Sequence, residues 1–144
     1  VNPPIRSHEH QGALWQGLTD GTIDAIVSAH RPHDQECKKL EFDLADFGMT
    51  GLQTMLPMLL QHTERLELPE LLDKISRTPR RLLNLPVPQI EEGKPADCVL
   101  FHSDEEWIYD GNTNKSKSVN SPLYQTKLKG KVKAVINNGK WKQV

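Results

Sequence analysis

One short apolar segment limits the fold of this chain more than any other feature. Ile23–Ser28 is mostly apolar and bounded by turn residues, which is typical of a strand buried in a parallel sheet. Helices are predicted on both sides of it, but the sequence contains no second segment of this kind. Parallel strands occur almost only in sheets that are covered on both faces. The segment therefore predicts the closing βα unit of a barrel, and we expect the chain to be the C-terminal part of something larger.

Helices are predicted before and after this segment. Ser7 is expected to cap a helix that runs to about Leu18, and Thr50 to cap another over about 51–64. Pro57 is expected to kink the latter, because proline removes a backbone hydrogen bond. Pro69 begins the next helix, and Thr78-Pro79 a short third one. The buried side of that third helix is predicted to consist of Leu82, Leu83 and Leu85.

Beyond residue 86 the pattern changes from helices to strands. Strands are predicted at 98–101, 106–109 and 131–137, and Asn138-Gly139 is a strong signal for a hairpin turn. We therefore divide the chain into residues 1–85, with the strand near 23–28 and most of the helices, and residues 86–144, which are mainly β.

Charge is divided unevenly along the chain. The formal net charge is -1, but residues 1–112 carry a net −9 and residues 113–144 a net +8. The lysines from Lys127 to Lys133 alternate with small or apolar residues, which predicts the solvent face of a strand at a sheet edge rather than a nucleic-acid surface. No apolar run approaches the ~20 residues of a membrane helix. Two cysteines are too few for a disulfide framework, and we expect reduced thiols in the cytoplasm.

Six segments share their order and spacing with one known family. They are Val1–Arg6, Asp20–His33, Phe47–Thr54, Ser76–Leu83, Gly93–Phe101 and Lys129–Val132. Together they resemble the dihydroorotases, metal-dependent amidohydrolases that interconvert dihydroorotate and carbamoyl aspartate in pyrimidine biosynthesis. The resemblance implies an α/β fold, in which residues 1–85 are the C-terminal part of a (β/α)₈ amidohydrolase barrel. Residues 86–144 would then be strands of the small β-sandwich domain that both ends of the whole chain build.

One position departs from the family in a way that affects catalysis. The family's motif after the eighth barrel strand is Thr-Asp-His-Ala-Pro-His, and its Asp is the general base. Ser28–His33 reads Ser-Ala-His-Arg-Pro-His, so Ala29 stands at the Asp position and Arg31 adds a bulky charge. A methyl group cannot accept a proton, and general acid–base catalysis typically contributes about 10²–10⁴-fold. We therefore expect no catalytic residue in this chain and no activity by itself.

The resemblance also implies four substrate-binding residues. Asn2 matches an Asn that bonds the substrate ring, and His33 matches a His that helps to hold the substrate carboxylate. Phe47 and Gly48 match a loop whose backbone touches the substrate amide. Structural roles stay open for these positions: Asn2 starts a proline-rich turn, His33 could cap a loop, and Gly48 could serve a positive φ.

No metal ligand or cofactor is predicted in this chain. The resemblance places the family's zinc ligands before Val1, and zinc is expected only for an active full-length member. His8-Glu9-His10 looks like the family's His-x-His, but it falls in the first turn of a predicted helix. Side chains at i and i+2 of a helix diverge, so His10 is expected to interact with the helix start instead.

Three functions remain open at this stage. The chain could belong to a dihydroorotase, to a non-catalytic dihydroorotase-like scaffold that holds aspartate transcarbamoylase, or to another amidohydrolase such as a hydantoinase relative. Ala29 favours the scaffold, whereas Asn2 and His33 favour the enzyme. The expected partners are a dihydroorotate-like small molecule if a parent is active, a second copy, or aspartate transcarbamoylase. Exposed apolar surface is expected to drive such association, and neither nucleic acid nor a membrane is expected.

Overall fold

The computed structural model describes residues 3–4 and 7–144 of the chain. Helices dominate the first part of the described chain and strands dominate the last part. In chain order the elements are helix α1 (His8–Asp20), a 3₁₀ helix (Glu36–Lys38), α2 (Met55–Leu60), α3 (Leu68–Ile75), α4 (Arg77–Leu82) and the strands β1 (Cys98–Tyr109), β2 (Thr126–Asn137) and β3 (Lys140–Gln143).

The three strands form one antiparallel sheet in the order β1-β2-β3. The segments predicted at 98–101 and 106–109 are parts of the single strand β1, whose pairing with β2 is irregular between His102 and Glu106. Asn138 and Gly139 have φ values of 49° and 71°, as a two-residue hairpin turn of the primed type requires. The predicted hairpin turn is therefore confirmed.

The strand predicted at Ile23–Ser28 is not formed in the described chain, and that prediction was wrong. The segment is instead tied to the end of α3. The Ile26 N–H donates to the Lys74 carbonyl at 3.0 Å, and Lys74 Nζ donates to the Ile23 carbonyl at 2.8 Å. A parallel strand exists only through hydrogen bonds to neighbouring strands, and the described residues place none beside this segment. The side chain of Val27 is consequently 77% exposed.

Helix α2 is shorter than predicted. Turns occupy residues on either side of it, and the predicted cap, Thr50, lies outside the helix. Thr50 is buried, and its hydroxyl donates to the Asn120 carbonyl at 3.2 Å. Pro57 lies in the first turn of α2, where a missing N–H breaks no helical hydrogen bond, so the predicted cause of a kink is absent.

Helix α4 does not bury the leucines predicted for it. Leu82, Leu83 and Leu85 are 57%, 69% and 50% exposed, and the last two lie beyond the end of the helix at Leu82. The helix contacts α3, but no described element covers its leucine side. The periodicity of a helix identifies an apolar face, whereas burial depends on what lies opposite that face.

The buried core is small and lies in two places. Leu59, Leu66 and Leu71 form one cluster, and the sheet buries Tyr109, Leu128 and Ala134. Helix α2 packs on β2 at Gly130, which has a φ of 97° and carries no Cβ. A Cβ at that position would overlap the side chain of Leu60, so glycine allows the helix to approach the sheet.

The lysines of β2 pair with acids of β1 on the solvent side of the sheet. Lys129 Nζ lies 2.7 Å from Asp104, Lys133 Nζ lies 2.6 Å from Glu105, and Lys127 pairs with Glu106. The predicted solvent face is confirmed, whereas the predicted place at a sheet edge is wrong for β2 as a whole, because β2 lies between β1 and β3. The carboxylate of Asp104 raises the pKa of Lys129, and the ammonium of Lys129 lowers the pKa of Asp104.

The accessible surface is larger than a self-contained domain of this size requires. It measures 10682 Å², whereas a compact monomer of 16.3 kDa exposes about 7,500 Å². Large apolar side chains are exposed at many positions, among them Val27, Phe42, Phe47, Leu83, Ile90 and Leu100. The predicted exposure of apolar surface is confirmed. None of the helices described here has the length and apolar character to cross a membrane.

Candidate functional site

We call residues 21–54, which connect α1 to α2, the long loop. Two of its stretches, residues 28–33 and 48–52, lie side by side. His30 and Met49 form an isolated parallel bridge, and the Arg31 N–H donates to the Met49 carbonyl at 3.0 Å. His30 Nδ1 accepts hydrogen bonds from the backbone N–H groups of Gly51 and Leu52, at 3.1 and 3.2 Å. Since a backbone N–H can only donate, Nδ1 is unprotonated and the ring proton of His30 lies on Nε2.

Two glycines permit this close approach. Gly48 has a φ of 136°, and a Cβ there would lie 2.7 Å from the Arg31 carbonyl oxygen. A Cβ on Gly51 would lie 2.6 Å from the Ser28 carbonyl oxygen. The positive φ considered for Gly48 is therefore present. Gly51, by having no Cβ, leaves room for the backbone of Ser28.

Ala29 lies in the same turn and has a left-handed backbone. Its φ is 45°, a conformation that costs most L-residues about 1–2 kcal/mol but that Asp and Asn adopt more readily. The methyl group of Ala29 neither donates nor accepts a hydrogen bond. The backbone at this position thus suits the residue types that carry a short polar side chain, although alanine occupies it.

Three of the four predicted substrate-binding residues lie together. His33 Nε2 lies 3.0 Å from the Phe47 carbonyl oxygen, and His33 Cδ2 would lie 3.2 Å from a Cβ on Gly48. A carbonyl can only accept, so His33 Nε2 carries a proton and donates it. Asn2 lies outside the described residues.

Several polar residues that the sequence did not single out hold this arrangement. Lys38 Nζ donates to the Gly48 carbonyl at 2.9 Å and also to the Asp46 carbonyl. Asn120 Nδ2 donates to the same Gly48 carbonyl at 3.0 Å, and Ser118 Oγ donates to the His33 carbonyl at 2.6 Å. These residues come from the 3₁₀ helix and from the connection between β1 and β2. Lys38 lies in no motif, and although residues 118–122 resemble a stretch of the dihydroorotases, no linear pattern shows their contacts, because each partner is distant in sequence.

A second group of side chains meets beside His33. One atom from each of His33, Cys37 and Asp46 lies within 4.8 Å of the others. Asp34 Oδ1 accepts the Cys37 N–H at 2.9 Å, which lowers the pKa of the Asp34 carboxyl. The Asp34 side chain in turn raises the pKa of the Cys37 thiol to about 11. No role is predicted for Cys37 or Asp46 from the sequence, because nothing in the linear pattern brings them together.

The His-x-His look-alike lies where the sequence predicts it. His8 and His10 belong to the first turn of α1 and are exposed. His10 Nδ1 lies 3.2 Å from Ser7 Oγ, so the predicted interaction with the helix start is confirmed.

Residues 5–142 match the amidohydrolase family, and the chain belongs to that family. Within it the chain is similar to dihydroorotases. It is 41% identical over 142 residues to the dihydroorotase of Clostridioides difficile, and this match covers 96% of the chain and 33% of that protein. The chain spans about a third of the length of the curated relatives that it matches.

Solved structures show the same fold. The L-hydantoinase (dihydropyrimidinase) from Arthrobacter aurescens aligns over 98% of this chain and 33% of its own, with a TM-score of 0.84 and 29% identity. The inactive dihydroorotase-like domain of the Chaetomium thermophilum CAD-like multifunctional protein aligns over 95% of this chain and 36% of its own, with a TM-score of 0.66 and 23% identity. These likenesses, rather than a strand at 23–28, establish the amidohydrolase fold.

Proposed function

We propose that this chain is the C-terminal part of a dihydroorotase-like amidohydrolase of pyrimidine biosynthesis in the cytoplasm, and that it is inactive by itself. The observation that carries this proposal is the convergence of His33, Phe47 and Gly48 beside a left-handed turn that holds Ala29. The similarity to dihydroorotases over nearly the whole chain supports the same conclusion.

The residues would divide the work of substrate binding. His33 holds the substrate carboxylate, Asn2 bonds the ring, and the backbone of Phe47 and Gly48 contacts the amide. The bond from His33 Nε2–H to the Phe47 carbonyl orients the ring and leaves only Nδ1, as a donor N–H, to hold the carboxylate. In an active full-length member, zinc held by residues outside this chain would supply a hydroxide nucleophile near neutral pH.

A non-catalytic scaffold is the second candidate function. Ala29 offers no proton acceptor, and the fold is shared with a domain described as an inactive dihydroorotase-like domain. In a scaffold of this kind, the exposed apolar surface would contact aspartate transcarbamoylase or a second copy of the chain.

A chimera tests the proposal. The matching third of the Clostridioides difficile dihydroorotase is replaced by this chain, and carbamoyl aspartate formation from dihydroorotate is measured. We expect no turnover with Ala29, and a gain of at least about a hundredfold in the Ala29→Asp, Arg31→Ala double variant, because the general base is restored. Ala29→Asn with Arg31→Ala is the matched control, since Asn fits the backbone but cannot take the proton.

The outcomes separate the three functions. Equal turnover by the Asp and Asn variants would show that position 29 does not hold the base. Turnover of a hydantoin without turnover of dihydroorotate would favour a hydantoinase relative. A chimera that unfolds cooperatively and binds zinc, yet stays inactive with Asp at position 29, would favour the scaffold.

A further inference from the structure

We propose that His33, Cys37 and Asp46 form a binding site for a divalent cation of the zinc type. Their nitrogen, sulfur and oxygen donors lie within 4.8 Å of one another. This is the mixed donor set that zinc accepts, with bonds of about 2.0–2.3 Å in a tetrahedral arrangement. Such bonds place ligand atoms roughly 3.3–3.8 Å apart, so the loop needs to contract by only about 1 Å.

The hydrogen bonding of His33 points to a cation. Nε2 donates its proton to the Phe47 carbonyl, which leaves Nδ1 as the ring nitrogen that can bind a metal. Nδ1 lies 3.5 Å from Asp46 Oδ2. A cation between these two atoms would contact both of them. A histidine that binds metal through one nitrogen and donates its other N–H to a backbone carbonyl is the usual arrangement in metal sites.

The neighbouring contacts prepare the other two ligands. Asp34 holds the backbone of Cys37 through the Cys37 N–H, which fixes the start of the 3₁₀ helix. Lys38 Nζ bonds the backbone carbonyls of Asp46 and Gly48, and so secures Asp46 from its main-chain side. Binding of the cation would release the thiol proton of Cys37 to solvent, and the fourth coordination position of the cation would be open to water.

Occupancy would have a local consequence. Asp46 directly precedes Phe47 and Gly48 in the sequence, and His33 bonds the Phe47 carbonyl, so one cation bound to both side chains would fix that loop. It would also occupy Nδ1 of His33, the atom left for the substrate carboxylate. The sequence predicts no metal ligand in this chain, because the only metal-binding pattern that it offers, His8-Glu9-His10, falls in a helix. Cys37 and Asp46 join His33 only once the loop folds back.

Cobalt provides the test, because a Co²⁺–thiolate bond absorbs in the near ultraviolet and tetrahedral Co²⁺ absorbs in the visible. We expect the 144-residue chain to bind one Co²⁺ with both signatures and to lose them when Zn²⁺ is added. Cys37→Ser should abolish the thiolate band. Cys37→Ser and His33→Gln should each weaken Zn²⁺ binding at least about tenfold. Residues that only support a metal ligand already cost about 10–100-fold in affinity when they are replaced, so the loss of a ligand itself should cost no less. Cys98→Ser is the matched control and should leave binding unchanged.

A second measurement avoids the substitutions. In the unaltered chain, Zn²⁺ should slow alkylation of Cys37 by iodoacetamide and leave that of Cys98 unchanged. The proposal is overturned if the chain binds no Co²⁺ or if Cys37→Ser keeps the thiolate band. Equal protection of both cysteines, or equal loss of binding in Cys98→Ser, would overturn it as well.

Discussion

Two regions in which the sequence predicts strands have different structures. The predicted segments 98–101 and 106–109 join in the single strand β1 (Cys98–Tyr109), which pairs with β2 and buries Tyr109 to 1% exposure. Ile23–Ser28 forms no strand and leaves Val27 77% exposed. β1 finds its antiparallel partner one connection away, across residues 110–125, whereas a parallel strand depends on partners that lie farther away in sequence. The local pattern is thus sufficient for the first segment and insufficient for the second.

Hydrogen exchange should show the largest difference between these regions. Amides of 132–136 should exchange at least about a hundredfold more slowly than those of Asp24, Ala25 and Val27. Paired strand amides open with free energies near the global value, whereas unpaired segments open at little cost. Ile26 is excluded, because its N–H donates to Lys74. Comparable protection in both segments would mean that Ile23–Ser28 acquires a strand partner in solution.

Truncation of leucines should separate the covered from the uncovered helix faces. Leu71 is fully buried, so Leu71→Ala should lower the free energy of unfolding by about 2–5 kcal/mol. Leu83 is 69% exposed, so Leu83→Ala should change it by no more than about 0.5 kcal/mol. Denaturant unfolding measures both. A large loss in Leu83→Ala that grows with protein concentration would show that association covers this face.

The contact between α2 and the sheet should be sensitive to one methyl group. Gly130→Ala should cost about 2–3 kcal/mol, because it adds crowding against Leu60 to the strain of a positive φ. Gly139→Ala is the control, since its φ of 71° is also positive but its surroundings are open, and it should cost about 1–2 kcal/mol. The measurement is thermal unfolding. If Gly130→Ala and Gly139→Ala lower the free energy of unfolding equally, α2 does not pack on Gly130.

Relief of strain at position 29 should give the smallest effect. Ala29→Gly should raise the free energy of unfolding by about 0.5–1 kcal/mol, because glycine adopts the left-handed region at little cost. Ala25→Gly, at a neighbouring position without a positive φ, should lower it. Destabilisation by both substitutions would contradict the left-handed backbone of Ala29.

Local signals predicted the parts of the fold that local interactions determine. The boundary of α1 at Ser7 and the Asn138-Gly139 turn depend on residues a few positions apart, and both are confirmed. The Ser7 side chain, however, makes no capping bond to the helix backbone and contacts His10 instead. The cap at Thr50 was wrong, because Thr50 bonds Asn120 across the molecule. Sequence periodicity could not foresee such a contact, nor the exposure of the α4 leucines.

The candidate site shows the same limit. The resemblance identified His33, Phe47 and Gly48, which lie together. It gave no reason to add Cys37 or Asp46, because their approach to His33 depends on how the long loop folds back through Lys38. Pairing of side chains within a loop is a tertiary property, and residue types alone do not specify it.

The most direct test of the central claim is turnover by the 144-residue chain. Carbamoyl aspartate formation from dihydroorotate is measured with and without added Zn²⁺, for the unaltered chain and for Ala29→Asp. We predict no turnover in all four cases, because catalytic groups that act as a unit recover little when one is restored and the others are missing. Turnover by the unaltered chain would contradict the claim that it lacks both the base and the means to generate the nucleophile.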